Sequence, residues 1–526
     1  MEKDSALRTL VKGAGIAVIG IMVTNITGYL YKIVIGRMLG PEGYGIISQG
    51  LMIFSITATI AMFGLPSGVK RFVSKYKAEE KEKLEKGTVR SSLEIGLTSS
   101  IAAAIILFLG AKWFSIQFFG DPDIAIVIKI LAFAVPMRAL MSVSLSTSIA
   151  YKKLEYKIYA RNITEGVVKI VSTLVLLALG FEIFGAALAV LLGWISAASL
   201  AFYLMHTRIR PYFTDGKPFS RPYRKLVKFS GPLIFSNVFG QITSWADIFL
   251  VGFFMSSASV GIYNSALPTA MILGMASSAI TALSVPVMTE MYAKEKLGEL
   301  EKVYKTGTKW VFMLAFPGAL LMALFADQGL SLMFGREFVE QNAGIPFIQI
   351  STAGLSLALL TLGYLLFSVT SLSRQLVQAT GDTQYNLYIS GIVGAGNLGL
   401  NLLLIPMFGI VGAALATASS WVLGGFFSLY YVYRDLKIHP FKSTFLPVVV
   451  ASIISAFIPY AVSKALFETV PRLIIFPAFL AFVALYVTLF LVLGGLEKDD
   501  SMILKSIENK LGVEVPYLDR LLERYS

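Results

Sequence analysis

The sequence predicts an all-α polytopic membrane protein of 14 transmembrane helices. They form two six-helix bundles, related as a parallel repeat by a pseudo-two-fold axis along the membrane normal, followed by two C-terminal helices. Three observations predict this. Of the 526 residues, 56% are hydrophobic and only 15% charged, at a mean hydropathy of +0.72, whereas soluble domains carry about 25% charged residues. The apolar residues fall in blocks of roughly 20, the length needed to cross about 30 Å of hydrocarbon at 1.5 Å per residue. The blocks also repeat.

Taken in order, the spans read 12–36, 43–65, 89–111, 124–148, 160–180, 183–205, 229–253, 260–285, 309–327, 344–370, 386–406, 409–432, 443–465 and 472–495. They are helices, because a barrel would need alternating strands of roughly 10 residues. Lys3, Arg8 and Lys12 lead into an apolar run reaching Gly36. That run is too long for a secretory signal and has no clear cleavage site, so it reads as a retained first span.

The net charge of +13 comes from 45 Lys+Arg against 32 Asp+Glu. With both termini in the cytoplasm of a multi-pass cell (plasma or inner) membrane protein, the inner segments hold about 35 of the basic residues and the outer loops about five, as the positive-inside rule requires. The excess thus needs no nucleic acid. The run from Lys70-Arg71-Phe72 to Lys86 reads either as a basic amphipathic helix on anionic lipid or as a solvated loop that sets orientation. There are no cysteines and only two histidines, His206 and His439. Disulfides, thiolate chemistry and Cys-ligated metals are excluded, two histidines argue against a His-based zinc site, and no metal or cofactor is expected.

At a fixed offset of 216, Arg8–Ile46 aligns on Arg224–Ile262. Leu10-Val11-Lys12 falls on Leu226-Val227-Lys228, Ile26-Thr27 on Ile242-Thr243, and Gly45-Ile46 on Gly261-Ile262. At an offset of 227, Gly185–Ala189 and Trp194 fall on Gly412–Ala416 and Trp421. Six helices per unit is an even number, so both units enter from the same side and enclose a central cavity. The expected domains are 1–206, a basic cytoplasmic linker 207–228, 229–432, the extra helices in 433–495, and a cytoplasmic tail 496–526. In that tail Met502, Ile503, Leu504, Ile507 and Leu511 suggest a surface helix.

Intramembrane charge is the sharpest functional signal, since a central ion costs roughly 2.5–3.5 kcal/mol on insertion scales. Arg138 lies near mid-depth of its span, and Lys169 lies more than two turns into span five. Both are expected to line the cavity, although Glu165 and Lys169 at i,i+4 also read as a self-neutralised pair. Asn237, Gln241, Ser244 and Asp247 form a polar stripe on span seven, matched by Asn25, Gly28 and Lys32 on span one. Lys32 and Asp247 are candidates for a gating pair or cation site, against which snorkelling competes. Glu94, about one turn inside its span, reads as snorkelling. Asn397 and Asn401 read as interhelical hydrogen-bonding groups.

The stretch Asn397-Leu-Gly-Leu-Asn401-Leu-Leu-Leu-Ile-Pro406-Met-Phe-Gly409-Ile-Val-Gly412-Ala-Ala-Leu-Ala-Thr417 resembles the multidrug/oligosaccharidyl-lipid/polysaccharide flippase superfamily. Gly36-Arg-Met-Leu-Gly40-Pro-Glu-Gly43-Tyr-Gly45 is similar to that family's first outer loop. The likeness covers about residues 8–490. It points to the prokaryotic polysaccharide-export branch, with the Wzx-type flippases and the stage V sporulation protein B group. It implies alternating access of a central polar cavity that carries a polyprenyl-(di)phosphate-linked oligosaccharide to the outer leaflet. Arg138, Lys169, Glu165, Asn25, Lys32, Asn237 and Gln241 would meet the substrate, and Asp247 and Lys32 would couple to Na+ or H+ or gate the path. The partners are then membrane lipid and an anionic lipid-linked oligosaccharide, handled by a monomer.

A drug or cation antiporter of the same superfamily is the second reading, and it should show more cavity carboxylates. A membrane glycosyltransferase or polymerase is the third, resting on Asp121-Pro122-Asp123. The favoured reading of that motif is that Asp123 caps span four while Pro122 fixes the turn, so the chain is not an enzyme. No Gly-x4-Gly-Lys-[Ser/Thr] phosphate loop occurs, so an ion, voltage or substrate gradient must drive transport.

Overall fold

The computed structural model describes residues 2–210, 212, 218–346, 349–442, 444–467, 470–495, 497 and 500. The expected surface helix at 502–511 lies outside the described residues. Among the described residues the extended elements are all helices, and the chain divides into two compact units, Met1–Asn264 and Ser265–Ser526. Among the described residues, nine helices are long and apolar enough to cross a membrane, or ten when the bent pair at Ile124–Ala150 counts as one.

The first unit begins with α1 (Glu2–Ala61), a 60-residue helix broken at Gly40. At 1.5 Å per residue an unbroken helix of that length would be about 90 Å long, far more than a bilayer core. Gly40 takes φ 65°, ψ −174°, and Pro41 follows it. A left-handed φ costs glycine little, and proline cannot continue a ladder behind it. The next helices are α2 (Leu65–Ala78), α3 (Glu82–Phe119), α4 (Ile124–Ala132) and α5 (Ala134–Ala150). The last two meet at 43°. A single turn α6 (Glu155–Lys157) leads into a π-helix, Ile158–Thr164, which runs on into α7 (Glu165–Ala178). Then come α8 (Glu182–Arg208), α9 (Tyr223–Phe254) and α10 (Ser257–Met271), whose first turns close the unit.

The unit boundary falls inside α10 because α9 packs on α1, α2 and α3. One contact there carries the repeat. A Cβ on Gly45 would lie 1.7 Å from the Ser257 carbonyl oxygen, and a Cβ on Gly261 would lie 1.9 Å from that of Pro41. Gly45 and Gly261 are equivalent at the offset of 216, as are Pro41 and Ser257. The two repeats therefore touch backbone to backbone through equivalent residues. Asn264 donates to its own equivalent, Ser48, at 2.7 Å, and the Tyr44 hydroxyl donates to the Asn264 carbonyl at 3.0 Å.

The run from Lys70 to Lys86 is not one helix. It breaks at Glu79–Lys81, where Glu80 takes φ 54°. The apolar face of α2 (Leu65, Val69, Val73, Tyr76) is buried within the protein. Val69 and Val73 pack with Val89, Leu93, Val143, Met205 and Tyr212. Beside that cluster the buried Glu85 carboxylate accepts hydrogen bonds from Tyr151, from Tyr212 at 3.2 Å and from Arg210 at 3.4 Å.

The second unit contains α11 (Gly274–Ala293), α12 (Leu297–Leu324), α13 (Ala326–Met333), α14 (Thr352–Val369), α15 (Ser371–Ala379), α16 (Thr383–Leu436), α17 (Phe445–Leu466) and α18 (Ile475–Val492). Helix α14 packs between α12 and α16, and α17 and α18 pair with each other, α17 also meeting α12. Ser351 caps α14 by accepting from the Gly354 amide at 2.9 Å, and Asp382 caps α16 by accepting from the Tyr385 amide at 3.0 Å. Such caps are worth about 1 kcal/mol each.

Helix α16 reverses at Gly409, φ 59°, just after Pro406. Gly412 then packs on the Leu404 carbonyl, 2.1 Å from where its Cβ would be. Asn397, before the break, donates to Thr417 after it at 3.3 Å, and Asn401 donates to the Asn397 carbonyl at 3.0 Å. Both asparagines are buried, and the Asn397–Thr417 bond ties the two arms of this hairpin together.

At one end of this unit lies a buried charge cluster. Lys309, 1% exposed, donates to Asp500 at 2.6 Å and lies 3.6 Å from Glu497. Trp310 Nε1 donates to the other Asp500 oxygen at 2.9 Å, and Lys442 meets Glu497 at 2.9 Å.

Candidate functional site

Helix α5 turns inward after the bend at Phe133 and carries Arg138 into a cavity of about 310 Å³ within the first unit. Asn237 and Gln241 enter it from α9, four residues apart and therefore on one helical face. Thr59, Ser67 and Ser142 add hydroxyls, Trp194 adds an aromatic wall, and Arg161 adds a second guanidinium. Among the described residues none that lines it is acidic.

The Arg138 guanidinium lies 5.6 Å from the Phe54 ring centre and 5.7 Å from that of Trp194. The two rings are themselves 5.5 Å apart. Cation–π attraction of this kind is worth about 0.5–2 kcal/mol, which holds the head in place without neutralising it. Among the described residues no carboxylate comes within ion-pair distance of Arg138 or Arg161. Guanidiniums with no ion-pair partner beside amides and hydroxyls suit an anion carrying hydroxyl groups, because charge-assisted forked bonds to phosphate are the strong ones.

The other expected site residues are placed differently. Lys169 lies 3.7 Å from Glu165, with side chains 17% and 14% exposed, and its ammonium sits 4.5 Å from the Tyr31 ring centre. The i,i+4 pair is therefore engaged with itself, and of the two intramembrane cations Arg138 is the one that lines the cavity. Asn25 is exposed and Lys32 half-buried, and neither lines it. Asp247 is buried and accepts from the Tyr263 hydroxyl at 2.9 Å, and it forms no ion pair with Lys32.

Glu94 accepts from Tyr223 and, at 3.4 Å, from Arg221, so it is tied to the start of α9, and it lies twelve residues inside α3. The cap at α4 also differs from expectation. Asp123 makes no capping bond. Asp121 instead accepts from the Asp123 amide at 3.0 Å and from the Ser257 hydroxyl at 2.5 Å. The Asp-x-Asp spacing thus builds a turn and a helix contact.

Arg161 was not among the residues singled out in the sequence, where it falls at the start of the span 160–180. Its place in the cavity follows from the π-helix, which no propensity pattern announces. Ser67 and Thr59 were also missed, though Trp194 stands out as the repeat partner of Trp421.

The model of polysaccharide biosynthesis proteins matches residues 10–292, and that of the MatE family matches residues 232–407. Stage V sporulation protein B of Bacillus subtilis is 24% identical over 524 residues, covering 94% of this chain and 97% of its own. The probable low-salt glycan biosynthesis flippase Agl15 of Haloferax volcanii is 27% identical over 216 residues, covering 41% of this chain and 43% of its own. The solved structure of lipid II flippase MurJ in an inward closed conformation shares the fold, with a TM-score of 0.72 at 16% identity, covering 90% of this chain and 98% of that one. The resemblance read from Asn397–Thr417 and Gly36–Gly45 is borne out.

Proposed function

The chain belongs to the polysaccharide biosynthesis protein family, and from that premise we propose that it moves a polyprenyl-(di)phosphate-linked oligosaccharide from the inner to the outer leaflet. The observation that carries the proposal is Arg138, a guanidinium that, among the described residues, has no carboxylate at ion-pair distance and shares its cavity with amides and hydroxyls but no acid. A phosphate would take the charge, while Asn237 and Gln241 would bond sugar hydroxyls. The names of Agl15 and MurJ support the same class of cargo.

The architecture proposed is the 14-helix one. The breaks at Gly40 and Gly409 each divide one long helix into two spans. With α4–α5, the π-helix with α7, and α10–α11 counted as spans, the proposed set is complete. The equivalent contacts at Gly45 and Gly261 support a parallel repeat. Alternating access of two six-helix bundles, with both termini cytoplasmic, completes the proposal. Lys169, Glu165, Asn25 and Lys32 take structural roles in it, and Asp247 is the candidate coupling residue.

A drug or cation antiporter is the second reading, favoured by the MatE match over residues 232–407. It fits the cavity less well, because a cationic cargo would meet two guanidiniums and no acid. Purified protein in proteoliposomes separates the two. The flippase reading expects translocation of a fluorescent polyprenyl-diphosphate-linked oligosaccharide, lost in Arg138→Ala at equal thermal stability. Efflux of a lipophilic cation without glycolipid movement would establish the antiporter instead.

A further inference from the structure

The π-helix Ile158–Thr164 is seven residues long, and such segments are rare inside α-helices and frequent at functional sites. Here its consequence can be read residue by residue. Asn162 is buried, and its side-chain amide donates to the Gly20 carbonyl of α1 at 2.6 Å. Around that bond glycines on each helix let the other's side chains approach closely. A Cβ on Gly20 would lie 2.8 Å from Asn162 Nδ2 and 2.9 Å from Ile158, and one on Gly166 would lie 2.9 Å from the Thr27 hydroxyl. The segment is therefore clamped on α1 at both ends. Its neighbour Arg161 is exposed and lines the cavity that holds Arg138. The nearest acid on that helix, Glu165, is already engaged with Lys169.

Resting on the glycolipid reading above, we infer that Arg161 is the second guanidinium of the headgroup site and makes it select a diphosphate over a monophosphate carrier, with Asn162 as its positioning residue. Arg138 and Arg161 line one cavity of about 310 Å³, so an anion with two charged groups can engage both. A diphosphate presents two charged groups to two forks, whereas a monophosphate satisfies one and leaves the other uncompensated. The hydrogen bond from Asn162 to Gly20 holds the π-turn that aims Arg161. Its loss lets the turn relax, and Arg161 leaves the cavity without any change in the residues that touch the cargo.

The test measures equilibrium binding of two probes to the purified full chain. These are a polyprenyl diphosphate bearing one N-acetylhexosamine and the corresponding monophosphate. The wild type is expected to bind the diphosphate about tenfold more tightly, the scale of one charge-assisted contact. Arg161→Gln is expected to bring the two affinities together, Arg161→Lys to keep part of the preference, and Arg138→Gln to weaken both. Asn162→Ala is expected to shift the ratio towards that of Arg161→Gln and to add nothing in the double variant. A merely structural role for Asn162 would reduce binding of both probes alike and leave the ratio unmoved. A wild-type ratio in Arg161→Gln, with Arg138→Gln still losing both probes, overturns this inference and leaves the glycolipid reading standing. Failure of the wild type to bind either probe overturns both.

Discussion

The backbone contact between Gly45 and Gly261 can be tested by adding one carbon atom. In Gly45→Ala the new Cβ would lie 1.7 Å from the Ser257 carbonyl oxygen, so reaching an ordinary contact of 3.4 Å requires the two segments to part by about 1.7 Å. The obstacle is backbone, which cannot rotate away as a side chain can. Overpacking costs typically 1–3 kcal/mol, and a backbone obstacle places this substitution near the upper end. The bonds of Asn264 to Ser48 and of Tyr44 to the Asn264 carbonyl lie beside the contact and would lengthen with it. Thermal unfolding of purified protein in detergent should show a fall in Tm of roughly 4–8 °C. Gly261→Ala should cost nearly as much, because its Cβ meets Pro41 at 1.9 Å. The double variant should cost little more than either single one, since the first carbon already separates the segments. Two neutral single variants, or a double variant with twice the loss, would refute the shared contact.

Two further outcomes are expected. Lys309→Ala leaves Asp500 buried without its cation, a kind of loss that costs about 3–5 kcal/mol. It should sharply reduce folded yield, measured by size-exclusion chromatography, while the double variant Lys309→Met/Asp500→Asn recovers most of it. Burial and the neighbouring Glu85 carboxylate push the Tyr151 hydroxyl up from 10.0 to about 12. The folded state therefore holds this proton more tightly than the unfolded chain does. Its contribution is complete below pH 10 and is lost as pH rises through about 12. Alkaline unfolding followed by circular dichroism should start in that window, and Tyr151→Phe should shift its onset.

Much of this molecule is legible in one sequence, and the exceptions have physical causes. Gly-Pro punctuation at Gly40 and Gly409 marks the reversals because only special backbone angles serve there. The repeat is visible at Gly45 and Gly261 because a contact with no room for a side chain tolerates no other residue. Arg138 stands out by the cost of its depth, and the self-neutralising alternative for Glu165 and Lys169 is written in their i,i+4 spacing. Arg161 is not legible, because a π-turn changes which face a residue presents without changing composition. Lys309 and Asp500 meet across 191 positions, and a long-range ion pair leaves no periodic trace. The Asp121 turn illustrates a finer limit. The sequence favours Asp123, the acid nearest the helix start, as the cap, whereas Asp121 is the one that accepts, from the Asp123 amide and the Ser257 hydroxyl.

The central claim is that an anionic glycolipid headgroup occupies the cavity around Arg138. A photoreactive residue at Ser142, on the lining of that cavity, reports this directly. Irradiation with a polyprenyl-diphosphate-linked oligosaccharide is predicted to give a covalent glycan adduct. Excess unlabelled glycolipid should suppress the adduct, and Arg138→Ala should abolish it. An adduct of equal yield without Arg138, or one formed only from a photoreactive residue at the exposed Leu109, would contradict the account.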